Sequence, residues 1–203
     1  MSEHFDAVII GAGIAGETCA RRLNTAGMRV AVVERDHVGG ECAYWGRIPS
    51  KTVIGPANEV WRAQQIVGVH SPAPGRAPEM AASQHPLSER DDRLEAEALD
   101  QAGITLIRGD ARVLGTGRIQ VAERLVEAPH IVIAAGSTPQ IPDIPGLLQA
   151  EYWTNREALR YQAIPQHVIL LGGEAQAIEM AQMFRLHGSQ VTVIALGSRL
   201  LSY

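Results

Sequence analysis

The chain has 203 residues, of which 46% are hydrophobic, and a formal net charge of -4 at pH 7. A chain of this size can bury a core and forms one domain or one and a fraction. Its acidic balance leaves no basic surface for nucleic acid, no apolar run reaches membrane-spanning length, and the first residues leave no room for a signal peptide. We therefore expect a soluble, cytoplasmic protein with a small-molecule substrate.

The two cysteines, Cys19 and Cys42, are too few for a disulfide framework or a metal site. The seven histidines are scattered without the spacing of metal ligands. We therefore predict no bound metal. Cys19 falls within the first predicted helix, where a small buried hydrophobic side chain is the simplest interpretation.

A glycine-rich segment, Gly11-Ala12-Gly13-Ile14-Ala15-Gly16, follows the apolar run at residues 6–10. This pattern predicts a strand, a tight turn at Gly11, and a helix whose free N–H groups face phosphates. Gly13 lets backbone approach a pyrophosphate, and Gly16 lets the helix pack closely on the strand. The alternative is an ordinary glycine turn of an α/β protein.

The following elements favour the dinucleotide interpretation. The helix is predicted from Ile14 to about Asn24 and ends at Gly27, which suits a left-handed C-cap. A second buried strand, residues 29–33, leads to Glu34. A carboxylate at a strand end, about twenty residues beyond the glycines, binds both ribose hydroxyls of an adenosine.

Residues 39–51 read Gly-Gly-Glu-Cys-Ala-Tyr-Trp-Gly-Arg-Ile-Pro-Ser-Lys. This segment resembles the redox-active segment of the pyridine nucleotide-disulfide oxidoreductases, the family of dihydrolipoamide dehydrogenase, glutathione reductase and mercuric reductase. Two further segments, Ile133-Ala134-Ala135-Gly136-Ser137 and Trp153-Thr154-Asn155, also resemble family motifs. The resemblance spans most of the chain and implies FAD as the cofactor.

The redox segment departs from the family pattern at one position. That pattern has two cysteines separated by four residues, and Arg47 stands where the second, flavin-side cysteine would be. Cys42 would then be the substrate-facing thiol, and an intramolecular dithiol cycle cannot run on one sulfur. We expect Arg47 either to stabilise an anionic reduced flavin or to promote ionisation of Cys42. The alternative is that Arg47 pairs with a carboxylate.

The resemblance also implies that Lys51 lies beside the flavin N5 edge and pairs with a carboxylate that the sequence does not identify. The alternative is a surface lysine in a first helical turn. The candidate catalytic residues are Cys42, Arg47 and Lys51. The candidate cofactor-binding residues are Gly11, Gly13, Ile14, Ala15, Gly16, Glu34, Arg35, Gly40, Glu41, Cys42, Lys51, Gly109, Ala111, Ala134, Ala135 and Gly136.

The middle of the chain contains a predicted irregular connection, followed by a helix and then by several strands. Prolines and glycines scattered through residues 68–86 predict an irregular connection. A helix is expected from an N-cap at about Ser88 to Gly103. A strand, two meander strands and a return to the main sheet are then expected at residues 104–108, 118–122, 124–127 and 130–135. The resemblance implies that Gly109 and Ala111 contact the adenine.

Residues 168–177 occupy the place of the family's NAD(P)H fingerprint. A strand, a helix and a second strand are expected here, but the second and third glycine positions hold Glu174 and Ala177. The second strand is followed by Ala195 rather than by an acid that would bind ribose. A carboxylate about 4 Å from a phosphate repels it by about 4 kcal/mol at an effective dielectric near 20. We therefore expect no NAD(P)H binding.

The expected fold is α/β, with a Rossmann-like FAD-binding domain that has a parallel sheet and a small β-meander over residues 1–150, and a truncated βαβ unit over residues 151–203. Family members continue with further nucleotide, FAD and dimerisation segments. We therefore expect strand edges and helix faces to be covered by a homodimer or a partner chain.

Three functions are compatible with these observations. The first is a FAD-binding flavoprotein, an atypical oxidoreductase with no redox disulfide and no working NAD(P)H site. The second is a repurposed non-redox enzyme, such as a cyclase, lyase or isomerase, that uses the former flavin cleft. The third is a fragment completed by another chain of a larger complex.

Overall fold

A computed structural model describes residues 2–66, 91–160, 164–195 and 197–201. Contacts divide the chain into two compact units, and each unit is built from two stretches of sequence. The first unit comprises residues 1–44 and 90–138, and the second comprises residues 45–89 and 139–203. The domain boundary expected near residue 150 stays a prediction.

The helices and strands of the described residues are, in chain order, β1 (Ser2–His4), β2 (Ala7–Ile10), α1 (Ile14–Thr25), β3 (Val30–Glu34), α2 (Gly40–Tyr44), α3 (Arg47–Gln64), α4 (Arg93–Gln101), β4 (Thr105–Arg108), β5 (Ala111–Gly115), β6 (Arg118–Val121), β7 (Arg124–Glu127), β8 (His130–Ile133), α5 (Asn155–Ala158), β9 (His167–Leu171), α6 (Ala175–Leu186) and β10 (Gln190–Ile194). A short 3-10 helix lies at Leu147–Gln149. None of the described helices is long and apolar enough to cross a membrane.

The first unit contains two four-stranded sheets. In the first sheet, strands β4, β3, β2 and β8 lie side by side in this order, and all three pairs are parallel. In the second sheet, β1 runs parallel to β7, and β7, β6 and β5 form an antiparallel meander. The predicted parallel sheet and β-meander are therefore confirmed. Strands β1 and β5 were not predicted, because β1 is short and β5 is largely exposed.

Strands β2 and β3 supply side chains to two separate cores. Val8 and Val33 share a core with Ile119 of the meander sheet. Ile9 and Val32 belong to another core, which includes residues of α1 and α4. Successive side chains of a strand point to opposite faces. The unbroken apolar runs in the sequence therefore indicate burial on both faces of the parallel sheet.

The prediction of a helix starting near Ser88 is wrong at its beginning. Residues 91 and 92 are not helical, and α4 starts at Arg93. The side chain of Asp92 accepts hydrogen bonds from elsewhere in the unit instead of capping the helix. Ser88 itself and the irregular connection predicted at residues 68–86 lie outside the described residues.

The second unit contains the parallel pair β9 and β10, connected by α6. This βαβ arrangement agrees with the sequence-based expectation. Helices α3 and α6 pack together, and the core of this unit includes Val53 of α3, Met183 and Phe184 of α6, and Leu159 after α5. The segment that begins at Trp45 is therefore packed within the second unit.

Candidate functional site

The glycine loop between β2 and α1 contains two glycines that the protein itself requires. Gly11 has φ +103°, and a Cβ there would lie 2.3 Å from the carbonyl oxygen of Ala134. A Cβ on Gly16 would lie 1.9 Å from the carbonyl oxygen of Gly11. Neither position has room for a side chain, which agrees with the tight turn and close packing expected from the sequence.

Gly13 differs from both, because no described part of the protein excludes a side chain there. Its φ of -76° and ψ of -179° suit any residue. Among the described residues, the one atom within 4.0 Å of a Cβ at Gly13, apart from its own chain neighbours, would be the Cα of Gly40. Gly13 is the N-cap of α1, where free backbone N–H groups begin. Ile14 and Ala15, the next two residues, are exposed.

A second glycine pair, Gly39 and Gly40, packs against this loop. The N–H of Gly39 donates to the carbonyl oxygen of Ala12 at 2.8 Å, and Gly39 forms an isolated parallel bridge with Gly13. A Cβ on Gly40 would lie 2.9 Å from the Cα of Gly13. Glu41 and Cys42 follow on α2, and both are half-buried.

The carboxylate of Glu34 lies at the glycine loop between β2 and α1, although about twenty residues separate Glu34 from this loop in the sequence. Its Oε2 accepts a hydrogen bond from the N–H of Ala12 at 2.7 Å, and its Oε1 accepts one from the N–H of Asp36 at 2.8 Å. A carboxylate oxygen can accept more than one hydrogen bond. Glu34 therefore retains acceptor capacity for sugar hydroxyls.

Residues expected near the adenine lie beside Glu34. The N–H of Gly109 donates to the carbonyl oxygen of Glu34 at 3.0 Å. The guanidinium of Arg35 forms an exposed ion pair with Asp110, with 3.6 Å between Nη1 and Oδ1. Ala111 begins β5 directly after this turn.

The segment after β8 completes this edge of the parallel sheet. The N–H of Ala134 donates to the carbonyl oxygen of Ile10 at 2.8 Å. The Cα of Ala135 would lie 3.1 Å from a Cβ at Gly11. Gly136 has φ +73°, with no atom within 4 Å of a Cβ position. The first unit therefore collects most of the candidate cofactor-binding residues at the carboxyl ends of β2, β3 and β8, where open α/β sheets bind ligands.

The candidate residues Arg47 and Lys51 lie at the start of α3, in the second unit. Lys51 forms an ion pair with Glu179 of α6, and the hydroxyl of Ser50 donates to the same carboxylate at 3.3 Å. Glu179 is therefore the acidic partner that the sequence did not identify. Arg47 is exposed.

Trp45, two residues before Arg47, is held within the second unit by contacts with α5 and the residues that follow it. The side-chain amide of Asn155 donates to the carbonyl oxygen of Trp45 at 2.5 Å. The guanidinium carbons of Arg160 and Arg156 lie 4.4 and 5.0 Å from the centre of the Trp45 ring. Asn155 is the last residue of the Trp-Thr-Asn motif, so this contact connects that motif to the redox segment.

The NAD(P)H-like fingerprint has the same fold as its counterpart in the first unit but different surroundings. Glu174 is the exposed N-cap of α6. A Cβ on Gly173 would lie 2.8 Å from the Cβ of Ala195 and 3.1 Å from the Cδ2 of Leu200. The N–H of Leu201 donates to the carbonyl oxygen of Gly173 at 2.9 Å. Side chains of the protein therefore fill the space beside this loop.

Comparison with known proteins identifies the family. The family model of the pyridine nucleotide-disulphide oxidoreductases matches residues 5–203. The chain is 33% identical over 207 residues to a mercuric reductase of Staphylococcus aureus, and 32% identical over 204 residues to one of Acidithiobacillus ferrooxidans. These matches cover 97% and 95% of this chain and 37% of each relative. The chain belongs to the pyridine nucleotide-disulphide oxidoreductase family.

A solved structure supports the same assignment. The chain superimposes with a TM-score of 0.82 and 27% identity on a Cu(II) complex of the HOCl-induced flavoprotein disulfide reductase RclA from Escherichia coli. The match covers 98% of this chain and 43% of RclA. The chain thus spans less than half of the proteins it matches. The predicted family and α/β fold are confirmed.

Proposed function

We propose that the first unit binds FAD and that the chain is an atypical oxidoreductase. The observation that carries this proposal is the space beside Gly13. Packing explains the glycines at positions 11 and 16, whereas the space beside Gly13 is open among the described residues, and an external group approaching the backbone would account for a glycine there. The donors of the first turn of α1 and the carboxylate of Glu34 suit a pyrophosphate and a ribose.

The residues that would hold FAD come from separate segments of the first unit. Gly13 and Gly40 would border the pyrophosphate, Glu34 would accept hydrogen bonds from the ribose, and Arg35 and Gly109 would border the adenine. When bound, FAD supplies the chemistry of electron and hydride transfer.

The redox segment favours a reaction other than the exchange of electrons with a dithiol. Cys42 has no second cysteine five residues on, because Arg47 occupies that position. One sulfur cannot open and close an intramolecular disulfide. Arg47 instead supplies a permanent cation, which would stabilise negative charge on a reduced flavin. Lys51 has its charge balanced by Glu179, which fixes the ammonium group at one place.

Purified protein gives the first test of this function. We expect flavin absorbance bands in the protein as purified, or after incubation with FAD and gel filtration, and a rise in melting temperature with FAD. Photoreduction of the bound flavin with EDTA as the electron donor should then occur without added thiol. A colourless protein whose melting temperature does not respond to FAD would favour the non-redox alternative.

We further propose that NAD(P)H does not bind the second unit. The acidic N-cap Glu174 would face the pyrophosphate, and Ala195 and Leu200 fill the space beside Gly173. An external electron donor other than NAD(P)H would then be needed for turnover. Calorimetry with NADH on the protein saturated with FAD should show no heat of binding, and micromolar affinity would refute this part of the proposal.

We also propose that the protein associates with a second polypeptide chain. Ile169, Leu171 and Ile194 are 66%, 45% and 51% exposed on one face of the β9–β10 pair. Apolar side chains clustered on one sheet face favour association. We expect light scattering to report a mass above that of one chain, either as a homodimer or with a co-purifying partner. A monodisperse monomer at micromolar concentration would contradict this expectation.

A further inference from the structure

Asp92, at the start of α4, makes two short hydrogen bonds to distant parts of the first unit. Its Oδ2 accepts from the N–H of Val38 and from Nη2 of Arg108, each at 2.6 Å. The Asp92 side chain is 15% exposed, so this charge is largely removed from water. Hydrogen bonds to ionised groups are stronger than those between neutral groups.

Arg108, at the end of β4, holds the same segment at another point. Its Nη1 donates to the carbonyl oxygen of Asp36 at 2.7 Å. The N–H of Asp36 is in turn bound by Glu34, at 2.8 Å. The path from Asp36 to Val38 is therefore fixed by three side chains, and two of them, Asp92 and Arg108, bind each other.

This fixed segment connects the two parts of the proposed FAD site. Glu34 lies at one end of it, and Gly39 and Gly40 lie at the other. Gly40 packs against Gly13, where an added Cβ would come within 2.9 Å of the Gly13 Cα. A shift of residues 36–38 would therefore change the separation between the ribose acceptor and the pyrophosphate loop.

We propose that Asp92 and Arg108 are positioning residues for the adenosine diphosphate half of the cofactor site. The pair holds the segment from Asp36 to Val38 so that Glu34 and Gly40 face one ligand together. This inference rests on the proposed binding of FAD. It assigns a role in binding to two residues that make no ligand contact themselves and that the sequence motifs do not include.

The variants Asp92→Ala, Asp92→Asn and Arg108→Gln test this role, and Glu97→Gln is the matched control. Asn retains an oxygen that can accept from Val38 but has no charge to pair with Arg108. Glu97 forms an ion pair with Arg93 within the exposed face of α4, with 3.0 Å between its Oε1 and Nη1. The control therefore removes an ion pair from the same helix without touching residues 36–38.

Two readouts separate positioning from simple stabilisation. In the protein without ligand, hydrogen exchange at Val38 should be at least about tenfold faster in Asp92→Ala than in the parent. By calorimetry, Asp92→Ala and Arg108→Gln should each weaken ADP and FAD by the same factor, about tenfold or more. The Asp92→Asn variant should fall between these and the parent. The Glu97→Gln variant should match the parent in both readouts.

Three outcomes would overturn the inference. One is faster exchange at Val38 with unchanged affinity for ADP in both Asp92→Ala and Arg108→Gln, because the pair would then be purely structural. Another is equal weakening of ADP in Glu97→Gln. The third is a parent protein that binds neither ADP nor FAD, which would also refute the proposed function. A parent that binds ADP but not FAD would refute FAD binding alone, and the ADP comparison would still decide the role of Asp92 and Arg108.

Discussion

Tyr44 lies in the redox segment and contains a buried polar atom without a partner. The residue is 3% exposed, and its hydroxyl has no hydrogen-bond partner among the described residues. Burial, followed by the negative charges of Glu95, Asp92 and other nearby acids, raises the pKa of Tyr44 to about 12. The phenol therefore stays neutral at physiological pH and is buried at a cost in free energy.

We expect Tyr44→Phe to raise the free energy of unfolding by about 1 kcal/mol, because the substitution removes an unsatisfied hydroxyl and keeps the ring. Urea denaturation followed by circular dichroism measures this change. Tyr152→Phe is the control, since Tyr152 is 39% exposed and its substitution should have little effect. A loss of stability in Tyr44→Phe alone would show that the hydroxyl has a partner.

Individual site residues were predictable where their role is local. Gly11, Gly16 and Glu34 could be located from the sequence because a turn, a helix–strand contact and a strand end depend on neighbouring residues. Glu179 could not be identified, because its pairing with Lys51 joins helices that are far apart in the chain. Asp92 could not be identified either, because the charge of Arg108, which determines its role, is supplied by another element.

Helix α5 joins two motifs that the sequence presents separately. Trp45 of the redox segment is 3% exposed, whereas Trp61 and Trp153 are 52% and 40% exposed. The amide of Asn155 binds the carbonyl oxygen of Trp45, and two guanidinium groups pack on its ring. Tryptophan fluorescence therefore contains one buried emitter, Trp45, whose environment depends on α5.

We expect Asn155→Asp to release Trp45, because a carboxylate oxygen would replace the amide donor and face the carbonyl oxygen of Trp45. Tryptophan emission should shift to the red, and acrylamide quenching should increase. Asn24→Asp is the matched control, since Asn24 donates to the carbonyl oxygen of Ala102 at 2.7 Å in the first unit. Equal changes in emission and quenching in both variants would contradict a specific role of Asn155 in positioning Trp45.

The capping box of α5 gives a pH-dependent prediction. The carboxylate of Glu157 accepts hydrogen bonds from the hydroxyl and the N–H of Thr154. The hydrogen bond from the Thr154 hydroxyl is the main cause that lowers the pKa of Glu157 below the ordinary value of 4.5. Because the pKa of Glu157 is lower in the folded than in the unfolded protein, its carboxylate stabilises the fold at pH values above the unfolded-state pKa. This stabilisation is lost as the pH falls through the folded-state pKa.

The difference in melting temperature between the parent protein and Glu157→Gln should therefore be small but constant above pH 4.5 and should vanish at lower pH. The effect is small because Glu157 is exposed and solvent screens its interactions. Thermal unfolding measured in steps from pH 6 to about pH 3 tests this expectation. A difference that persists at the lowest pH would mean that the carboxylate charge is not the source of the effect.

The elements themselves could largely be predicted from sequence. The strands β2, β3, β9 and β10 and the helices α1 and α6 follow from apolar runs and glycine ends, which are local signals. The start of α4 could not be predicted, because Asp92 forms hydrogen bonds to Val38 and Arg108 instead of capping the helix. The meander strand β5 has two large apolar residues, Val113 and Leu114, but their adjacent positions do not give the alternating pattern that predicts a half-buried strand.

The division of the molecule into two units is the feature that was least predictable from the sequence. Residues 45–66 follow the first unit directly in the chain but pack with β9, β10 and α6. Val53 of α3 and Phe184 of α6 belong to the same core, although they are far apart in the chain. Local sequence patterns cannot predict a core shared by such distant residues. Each unit therefore contributes different candidate residues, with the glycine loops in the first and Arg47 and Lys51 in the second.

The central claim, that the space beside Gly13 receives FAD, is tested most directly by calorimetric titration of FAD into the parent protein and Gly13→Ala. The added methyl group meets no protein atom closer than 4.0 Å, so stability should change by no more than about 1 kcal/mol. Gly55→Ala is the control, because a Cβ there meets nothing within 4 Å and lies in the second unit. We predict one FAD per chain for the parent and Gly55→Ala, and an affinity weaker by about a hundredfold for Gly13→Ala. Equal affinity for FAD in all three proteins, or no binding by the parent, would contradict the account.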